Sequence, residues 1–320
     1  MKRGREVRIR DLQKSVEETI FVGHAYRLGV FDALSEKPDT HQGLAEKLGF
    51  DSRCTRVLLE ALVEMGYLQH GGELYSVTDD ARRRLVDRDG DDFEGSFWSF
   101  LLYLMNPWNS LPHVLRTGQP DKSSYRDFSM DDFIRGMDSP WKKKIASEIV
   151  DLCVSAHGSP RTVADIGGAP GTIAREFARR GMKTIVFDLK ESLDVTRGEL
   201  AKTPGIVVAD GDATRDLPEG PYDIAFLGNL CHGQSPEDNA RIIRMCHDRL
   251  GDGGIVAVFD NLRGESYLGA TLALHMITQS PLGDIYSRRE YARWLEDAGF
   301  GDIRVVQLSD PAWQIMFGRK

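Results

Sequence analysis

The sequence contains few cysteines, no long apolar run and no excess of basic residues. Its four cysteines, at positions 54, 153, 231 and 246, lie far apart and form no Cys-x-x-Cys pair. This spacing excludes a disulfide framework and indicates reduced thiols in a cytoplasmic protein. The longest nearly unbroken apolar stretch, Phe97–Met105, is too short to span a bilayer, which requires about 20 residues. The first residues are basic but lack an apolar segment, so we expect no secretion signal.

The chain is acidic, with 41 lysines and arginines against 49 aspartates and glutamates and a net charge of -8. A main partner such as nucleic acid or an anionic membrane requires clustered basic residues to neutralise phosphate, so we expect neither. A hydrophobic fraction of 41% over 320 residues is ordinary for a globular protein. The length suggests about two domains.

The N-terminal part of the chain predicts three helices. The first is long and carries an apolar stripe that continues to Phe31. The second lies between Thr40 and Gly49, and the third begins at Asp51 or Ser52. These bounds follow because Thr, Asp and Ser cap helix N-termini, whereas Gly commonly ends a helix.

A β-hairpin follows the third helix. Tyr67-Leu68 and Leu74–Val77 flank a turn at Gly71-Gly72, the pattern of two short strands. Three helices followed by a hairpin are typical of a winged helix. The helix that would enter the major groove, Ser52–Met65, carries acidic residues beside its arginines, and the chain lacks the positive surface that DNA binding requires. We therefore favour a scaffold or dimerisation module over DNA binding.

From residue 159 onward, strands alternate with helices, which predicts an α/β domain with a doubly wound parallel sheet. Five strands are predicted at Thr162–Ile166, Thr184–Phe187, Gly205–Ala209, Tyr222–Leu227 and Gly254–Phe259, and two further edge strands at Ile303–Gln307 and Gln314–Phe317. Helices are predicted at Thr172–Arg180, Pro236–Leu250 and Ser287–Ala298. Such sheets bind ligands at the carboxyl ends of their strands, so candidate site residues are those that follow each strand.

The sharpest local signal is the segment Asp165-Ile166-Gly167-Gly168-Ala169-Pro170-Gly171, between a predicted strand and a predicted helix. Small residues here let the backbone approach a ligand closely. About 20 residues further on, Asp188 ends the next strand, where a carboxylate can accept both hydroxyls of a ribose. The turn does not contain G-x-G-x-x-G, so a nucleoside-type cofactor other than a dinucleotide is indicated.

The turn has the form D-x-G-x-x-x-G and resembles motif I of class I S-adenosylmethionine (SAM)-dependent methyltransferases. The resemblance implies that SAM is the cofactor, that S-adenosylhomocysteine (SAH) is the product, and that no metal is needed. By position in this fold, the turn would accommodate the aminoacyl part of SAM and Asp188 its ribose, with Asp212 near the adenine. The cofactor-binding residues implied are Asp165, Gly167, Gly168, Gly171, Asp188, Leu189, Gly211, Asp212, Ala213, Gly228 and Asn229.

Motifs along nearly the whole chain resemble the bacterial and plant small-molecule O-methyltransferases of the caffeate and hydroxyindole type. They include the segments 28–34, 58–62 and 66–68, then Gly211-Asp212, Leu230-Cys231-His232 and Gly253-Gly254. The resemblance implies a Rossmann-like, seven-stranded sheet and a homodimer formed through a mainly helical winged-helix domain. It divides the chain into a dimerisation domain (1–90), a helical segment lining the acceptor pocket (91–150) and a SAM-binding domain (151–320).

In this family a histidine after the fourth strand is the general base, and His232 occupies that position. The resemblance implies that Asp260, which ends the fifth strand, orients it. A second flanking acid is usual, but Ile285 stands at that place here. His113 and His275 are lesser candidates, and His24 and His247 are expected to be structural. Asp260-Asn261 also resembles the Asp-Asn pair of magnesium-dependent catechol-type enzymes, but the aspartate those enzymes need after the fourth strand is missing.

The resemblance and the apolar composition of residues 93–137 imply a pocket for a flat, largely uncharged acceptor. The residues chosen as its lining are Met105, Trp108, Phe133, Met137 and Met276. The main hypothesis is SAM-dependent methylation of a hydroxyl on an aromatic or polyketide-like small molecule in secondary metabolism. Transfer to carbon or nitrogen by positioning alone, a non-methylating reaction that uses SAM, and a non-enzymatic regulator that senses a ligand remain alternatives.

Overall fold

The structure, a computed structural model, describes residues 9–125 and 128–320. The described residues up to Met105 form one compact unit together with Arg135–Pro140, and Asn106–Ile134 with Trp141–Lys320 form a second. The predicted division at residues 90 and 150 stays a prediction. The residues before Ile9, on which the expectation of no secretion signal largely rests, lie outside the described part.

The first unit is mostly helical and contains a small antiparallel hairpin. Its elements are α1 (Ile9–Arg27), α2 (Val30–Glu36), α3 (His41–Leu48), α4 (Ser52–Glu64), β1 (Leu68–Gly71), β2 (Leu74–Val77), α5 (Asp79–Leu85) and most of α6 (Gly95–Asn109). The β1 and β2 strands pair in antiparallel register, with Gly71 opposite Leu74. The predicted hairpin after a run of helices is thereby confirmed.

Side-chain caps position the second and third predicted helices where the sequence indicated. The Thr40 hydroxyl accepts a hydrogen bond from the backbone N–H of Gly43 (3.1 Å), and the Asp51 carboxylate accepts one from that of Cys54 (2.8 Å). Each bond satisfies an N–H that has no partner within the helix.

The prediction of one long first helix is wrong. The α1 helix ends at Arg27 and α2 begins at Val30, because Gly29 has a φ of 76°. This left-handed conformation is open to glycine and interrupts a right-handed helix. Phe31, which the sequence placed on the first helix, is a buried residue of α2.

The second unit joins a helical segment to an alternating set of strands and helices. Its helices are α7 (Leu111–Thr117), α8 (Met130–Gly136, which continues into the first unit), α9 (Pro140–His157), α10 (Thr172–Arg179), α11 (Lys190–Leu200), α12 (Pro236–Arg249), α13 (Tyr267–Gln279) and α14 (Arg288–Ala298). Its strands are β3 (Thr162–Ile166), β4 (Lys183–Asp188), β5 (Ile206–Asp210), β6 (Tyr222–Gly228), β7 (Leu250–Asp260), β8 (Gly301–Gln307) and β9 (Gln314–Arg319).

The seven strands form one sheet in the order β5-β4-β3-β6-β7-β9-β8. The strands β5, β4, β3, β6 and β7 run parallel to one another. Strand β9 is antiparallel to both of its neighbours, β7 and β8. Strand order reverses direction beside β3, so the carboxyl ends of β3, β4 and β6 meet at one edge. The predicted doubly wound, Rossmann-like sheet is confirmed.

Helices cover both faces of this sheet. On one face, Ile242 of α12 and Tyr291 of α14 are completely buried in a cluster with β6 and β7 residues. On the other face, Ile149 of α9 and Phe177 of α10 are equally buried. Parallel strands with both faces covered are nearly continuous in apolar residues, as the sequence of β7 shows. In the described part of the chain, no helix combines the length and apolarity that crossing a bilayer requires.

Candidate active site

The glycine-rich turn lies directly after β3 and bends back against β4. The backbone N–H groups of Gly167 and Gly168 donate to the carbonyl oxygen of Phe187, at 2.8 and 3.2 Å. Gly167 and Gly171 have φ values of 72° and 93°. A Cβ atom on Gly171 would stand 2.3 Å from the Cδ2 atom of buried Leu200, so the bend requires glycine there on two grounds.

Asp188 connects the end of β4 to this turn. Its Oδ2 accepts a hydrogen bond from the N–H of Ala169 (3.0 Å), and its Oδ1 accepts one from the N–H of Leu189 (2.7 Å). Partial burial raises the pKa of the Asp188 carboxyl, and these two N–H groups oppose the rise. The carboxylate is therefore held in one orientation at the strand end, while the Leu189 side chain beside it is exposed.

Asp165 is a buried residue near the end of β3. Burial raises the pKa of its carboxyl to about 7, while the nearby ammonium of Lys142, on α9, acts in the opposite direction. Lys142 is itself buried. A buried lysine therefore lies near the buried Asp165 carboxyl, and its charge opposes part of the cost of burying that group.

Gly211, Asp212 and Ala213 follow β5 at the same edge of the sheet. The N–H of Gly211 donates to the carbonyl oxygen of Asp188 (3.0 Å). Asp212 accepts hydrogen bonds from the hydroxyl and the N–H of Thr214, and these bonds lower the pKa of its carboxyl. The structure thus brings the predicted cofactor residues after β3, β4 and β5 to one edge.

Gly228 and Asn229 lie at the end of the next parallel strand, β6. The N–H of Asn229 donates to the carbonyl oxygen of Phe259 (2.9 Å), and its φ is 57°. Among the described residues, the buried Oδ1 atom of Asn229 has no hydrogen-bond partner. A buried acceptor without a donor is destabilising by about 1–3 kcal/mol, so this atom is suited to a donor supplied from outside the protein.

His232 follows in a short turn, Cys231–Gly233, and contacts the end of β7. Its Nδ1 atom lies 2.8 Å from Oδ1 of Asp260, which is 1% exposed. The carboxylate accepts, so Nδ1 carries the proton and the lone pair of the neutral imidazole lies on Nε2. Within the described part of the chain, Nε2 makes no hydrogen bond and is available to accept a proton.

Two further groups hold Asp260. Its Oδ1 atom also accepts the N–H of Asn261 (2.8 Å), and its Oδ2 atom accepts the hydroxyl of Tyr291 at 3.2 Å. Sequence reasoning did not identify Tyr291. A tyrosine spaced with Trp294 and Leu295 on an amphipathic helix indicates core packing, and no sequence signal identifies the partner of its hydroxyl.

The position at which the family resemblance predicts a second acid is apolar here. Ile285 is fully buried. The neighbouring Asp284 donates its N–H to the carbonyl oxygen of His232 (3.1 Å), but its carboxylate faces Arg263. In the described chain, Asp260 is therefore the carboxylate that pairs with His232.

A cavity of about 440 Å³ lies in the second unit, lined mainly by apolar side chains of α13 and by Trp108 and Leu111. The Trp108 indole donates to Nδ1 of His275 (2.8 Å), and the side-chain amide of Gln279 contacts Nε2 of the same ring. Burial, assisted by the charge on His232, lowers the pKa of His275 to about 4. His275 is thus a neutral imidazole in this cavity at physiological pH.

The five residues predicted to line the acceptor pocket are divided between the two units. Trp108 lines the cavity, and Met276 is on α13 next to His275. Phe133, on α8, packs against Phe128 in the second unit with the two rings tilted. Met105 and Met137 belong to the first unit. The assignment of these residues to a substrate stays a prediction.

The side chains of Asp260 and Asn261, which resemble a magnesium-binding pair, form hydrogen bonds to other groups of the protein. Asp260 holds His232, and the Asn261 amide donates to the carbonyl oxygen of Ala312 (3.1 Å). Among residues 9–125 and 128–320, no group of three or more His, Cys, Asp or Glu side chains could hold a metal ion. Of the remaining histidines, His24 and His113 are exposed, and His247 packs edge-on against Phe300.

The doubly wound sheet, the glycine-rich turn with its aspartates, and the histidine–aspartate pair define a class I SAM-dependent methyltransferase. The family described as O-methyltransferase domain matches residues 122–301, and the family described as O-methyltransferase dimerisation domain matches residues 19–87. The chain belongs to the O-methyltransferase family. The family resemblance in the sequence is thereby confirmed.

Relatives that match over most of the chain include two O-methyltransferases of Streptomyces. The tetracenomycin polyketide synthesis 8-O-methyl transferase TcmO of Streptomyces glaucescens is 29% identical, over 92% of this chain and 91% of its own length. The 3-hydroxy-5-methyl-1-naphthoate 3-O-methyltransferase of Streptomyces sahachiroi is 26% identical, over 94% of this chain and 91% of its own length. Among solved structures, PigF with SAH has a TM-score of 0.79 at 23% identity and covers 98% of this chain and 100% of its own; PigF is a protein of Serratia sp..

Proposed function

We propose that this O-methyltransferase transfers a methyl group from SAM to a phenolic hydroxyl of an aromatic, polyketide-like small molecule, with His232 as the general base. The observation that carries the proposal is the contact of 2.8 Å between His232 and buried Asp260, at the strand ends that also carry the glycine-rich turn. The names of the two Streptomyces relatives support the substrate class.

The residues at the sheet edge fit SAM. Gly167 and Gly171 have positive φ values, and a turn of small residues lets the aminoacyl part of SAM approach the backbone closely. The buried Oδ1 atom of Asn229, which has no hydrogen-bond partner among the described residues, suits the ammonium group of SAM. Asp188 would accept the ribose hydroxyls, with Asp212 and Ala213 beside the adenine. When bound, SAM supplies a methyl group on a sulfonium, which is a good leaving group.

The role proposed for His232 follows from proton affinities. A phenol has a pKa near 10, whereas a histidine has a reference pKa of about 6.5. The imidazole cannot deprotonate the phenol fully beforehand, so Nε2 must accept the proton as the oxygen reacts. Asp260 keeps the proton of the neutral ring on Nδ1 and stabilises the imidazolium that forms. Holding the oxygen in line with the methyl carbon contributes further to the rate.

The test uses isotopically labelled SAM, a panel of phenols that includes 3-hydroxy-5-methyl-1-naphthoate, and detection of labelled product and SAH. His232→Ala is expected to lower kcat about 100-fold or more on the phenol that is turned over, since general-base catalysis typically contributes this much. SAH affinity, measured by calorimetry, should be unchanged.

His113→Ala removes an exposed histidine of the same unit and is the matched control, expected to retain wild-type turnover. Equal turnover of His232→Ala and wild type would remove the base assignment. Methylation of carbon or nitrogen in the panel would correct the acceptor atom.

The apolar Ile285 favours a second candidate function. Asp260 is the carboxylate that pairs with His232 in the described chain, and Ile285 adds no second one. Transfer to carbon or nitrogen by positioning alone, or a reaction without methyl transfer, makes less demand on a base. Product formation without SAH would identify the latter.

We also propose that the protein is a cytoplasmic homodimer. The match of residues 19–87 to a dimerisation family supports the dimer. All four cysteines are free, three of them buried, which is consistent with a reducing compartment.

A further inference from the structure

Asp260 has more hydrogen-bond donors than its pairing with His232 requires. One oxygen, Oδ1, contacts Nδ1 of His232 and the N–H of Asn261. The other oxygen, Oδ2, accepts the hydroxyl of Tyr291 at 3.2 Å. Tyr291 comes from α14, 31 residues away along the chain, and both side chains are almost inaccessible to solvent.

We propose that Tyr291 is a positioning residue for the base: its hydroxyl fixes Oδ2 of Asp260 so that Oδ1 remains aligned with Nδ1 of His232. Ile285 stands where the family resemblance predicts a second acid, and its apolar side chain cannot help to orient His232. The hydroxyl of Tyr291, a neutral donor, would contribute to this orientation instead. This inference rests on the proposed role of His232 and adds a residue that acts on it through Asp260.

The Tyr291 ring is held rigidly enough for this role. It packs edge-on against Trp294 at 5.3 Å between ring centroids and against Tyr286 at 6.1 Å. Rotation of the Asp260 carboxylate would break the contact to Tyr291 and leave a buried charge with one donor fewer, which is costly. The carboxylate and the ring therefore restrain each other.

The hydroxyl remains a donor over the whole working pH range. Burial, together with the negative charge of Asp260, raises the pKa of Tyr291 well above its usual value. Cys231, in the turn that carries His232, interacts with both residues, and burial raises the pKa of its thiol as well. Neither group competes with His232 for a proton near neutral pH.

The other titratable groups around His232 lie on separate elements. On α13, His275 is neutral near pH 7, since burial lowers its pKa to about 4. The carboxylate of Asp284, which precedes α14, faces Arg263.

Tyr291→Phe tests the inference because it removes one oxygen and keeps the ring. Without this donor, more of the negative charge on Asp260 acts on the imidazolium. The ionisation of His232, followed by NMR with labelled histidine and assigned with His232→Ala, should move to higher pH. The acidic limb of the pH profile of kcat/KM, measured on the phenol of the panel that is turned over, should move in the same direction. We expect kcat to fall about 5- to 10-fold, as for the loss of one hydrogen bond, with KM for SAM unchanged.

Tyr222→Phe is the matched control. Tyr222 is a buried tyrosine of the same core cluster, and its hydroxyl has no partner among the described residues. The His232 titration should be the same as in wild type. In an Asp260→Asn background, Tyr291→Phe should produce no further shift, since its effect passes through Asp260.

An unchanged His232 titration in Tyr291→Phe, with a lower melting temperature alone, would overturn the inference and leave Tyr291 as a core residue. A shift of the same size in the Asp260→Asn background would overturn it also. The NMR titration requires no turnover, so it separates this inference from the proposed function, which fails if His232→Ala retains full activity.

Discussion

Burial makes two ionisable residues of the second unit sensitive to pH in opposite directions. Burial raises the pKa of Asp165 to about 7, and burial lowers that of His275 to about 4. The folded state thus holds a proton on Asp165 that the unfolded chain releases, whereas the unfolded chain protonates His275 first. Stability from Asp165 is lost as pH rises from about 4 through 7, and stability from His275 is lost as pH falls from about 6.5 to 4.

His275→Gln should therefore change the pH dependence of unfolding. Above about pH 6.5 the wild-type imidazole is neutral in both states, so His275 has no linkage contribution there. As pH falls to 4, wild type should lose about 2 kcal/mol of stability relative to the variant, given about 1.4 kcal/mol per pKa unit and partial exposure. Urea unfolding at pH 4.5, 5.5 and 7 measures this difference.

His113→Gln, at an exposed position on α7, is the control and should show the wild-type profile. If His275→Gln and wild type lose stability in parallel between pH 7 and 4.5, the neutral, buried state of His275 is contradicted.

At the scale of single elements, most helix ends and strand ends follow from neighbouring residues. Ser235 caps α12, with Pro236 in its first turn, and Ser287 forms a capping box with Glu290 at the start of α14. These bonds span three residues, so the sequence contains all their parts. The start of β7 depends on pairing between distant residues. The sequence predicts a strand from Gly254, but β7 begins at Leu250 because Leu250 pairs with Tyr222 of β6.

The turn after β3 contains Gly171, which is constrained both by its φ and by its neighbours. Gly171→Ala should destabilise the fold through a left-handed φ of 93° and through overlap of the new Cβ with Leu200. Gly181 has a similar φ of 85°, and a Cβ atom there would meet open space. Gly181→Ala therefore isolates the backbone effect, a loss of about 1–2 kcal/mol in the free energy of unfolding. Gly171→Ala should lose about 1–3 kcal/mol more in urea unfolding.

Calorimetry with SAH completes this comparison. Gly171→Ala should weaken SAH binding at least about 10-fold at a temperature where the variant is folded, whereas Gly181→Ala should bind as wild type does. Equal SAH affinity of the two variants would argue against a cofactor site at this turn.

At the scale of the whole molecule, an apolar stripe on α1 has no partner within the described chain. Ile9, Leu12 and Val16 follow helical spacing and are 81%, 54% and 48% exposed. Exposed apolar residues on one helix face mark an association surface, and α1 overlaps the matched dimerisation region. We expect this stripe to contribute to the proposed homodimer.

Val16→Asp should raise the dissociation constant of the dimer at least about 10-fold, because it replaces about 1.5–3 kcal/mol of apolar burial with a buried charge. Val207→Asp, at a residue of edge strand β5 that is 59% exposed, should leave the dimer intact. Sedimentation equilibrium measures both constants, and identical values for the two variants would exclude α1 from the interface.

Most of the fold could be predicted from the sequence, and the site only in part. Strand alternation and caps predict the sheet and most helices, but the break at Gly29 was missed because the apolar stripe continues across it. The glycine-rich turn, Asp188 and His232 follow strands, so their shared edge was predictable. The restraint of Asp260 by Tyr291 was not, since a buried tyrosine resembles any core aromatic.

The sequence by itself determined the class of fold, the turn after β3 and the order of the strand-end residues, because these depend on residues within a few positions of one another. Only the tertiary structure decided which side chains meet. Asp260 and Tyr291 are 31 residues apart, and Trp108 and His275 are 167 apart. Such pairs form when packing of helices on the sheet leaves buried polar atoms that must find partners.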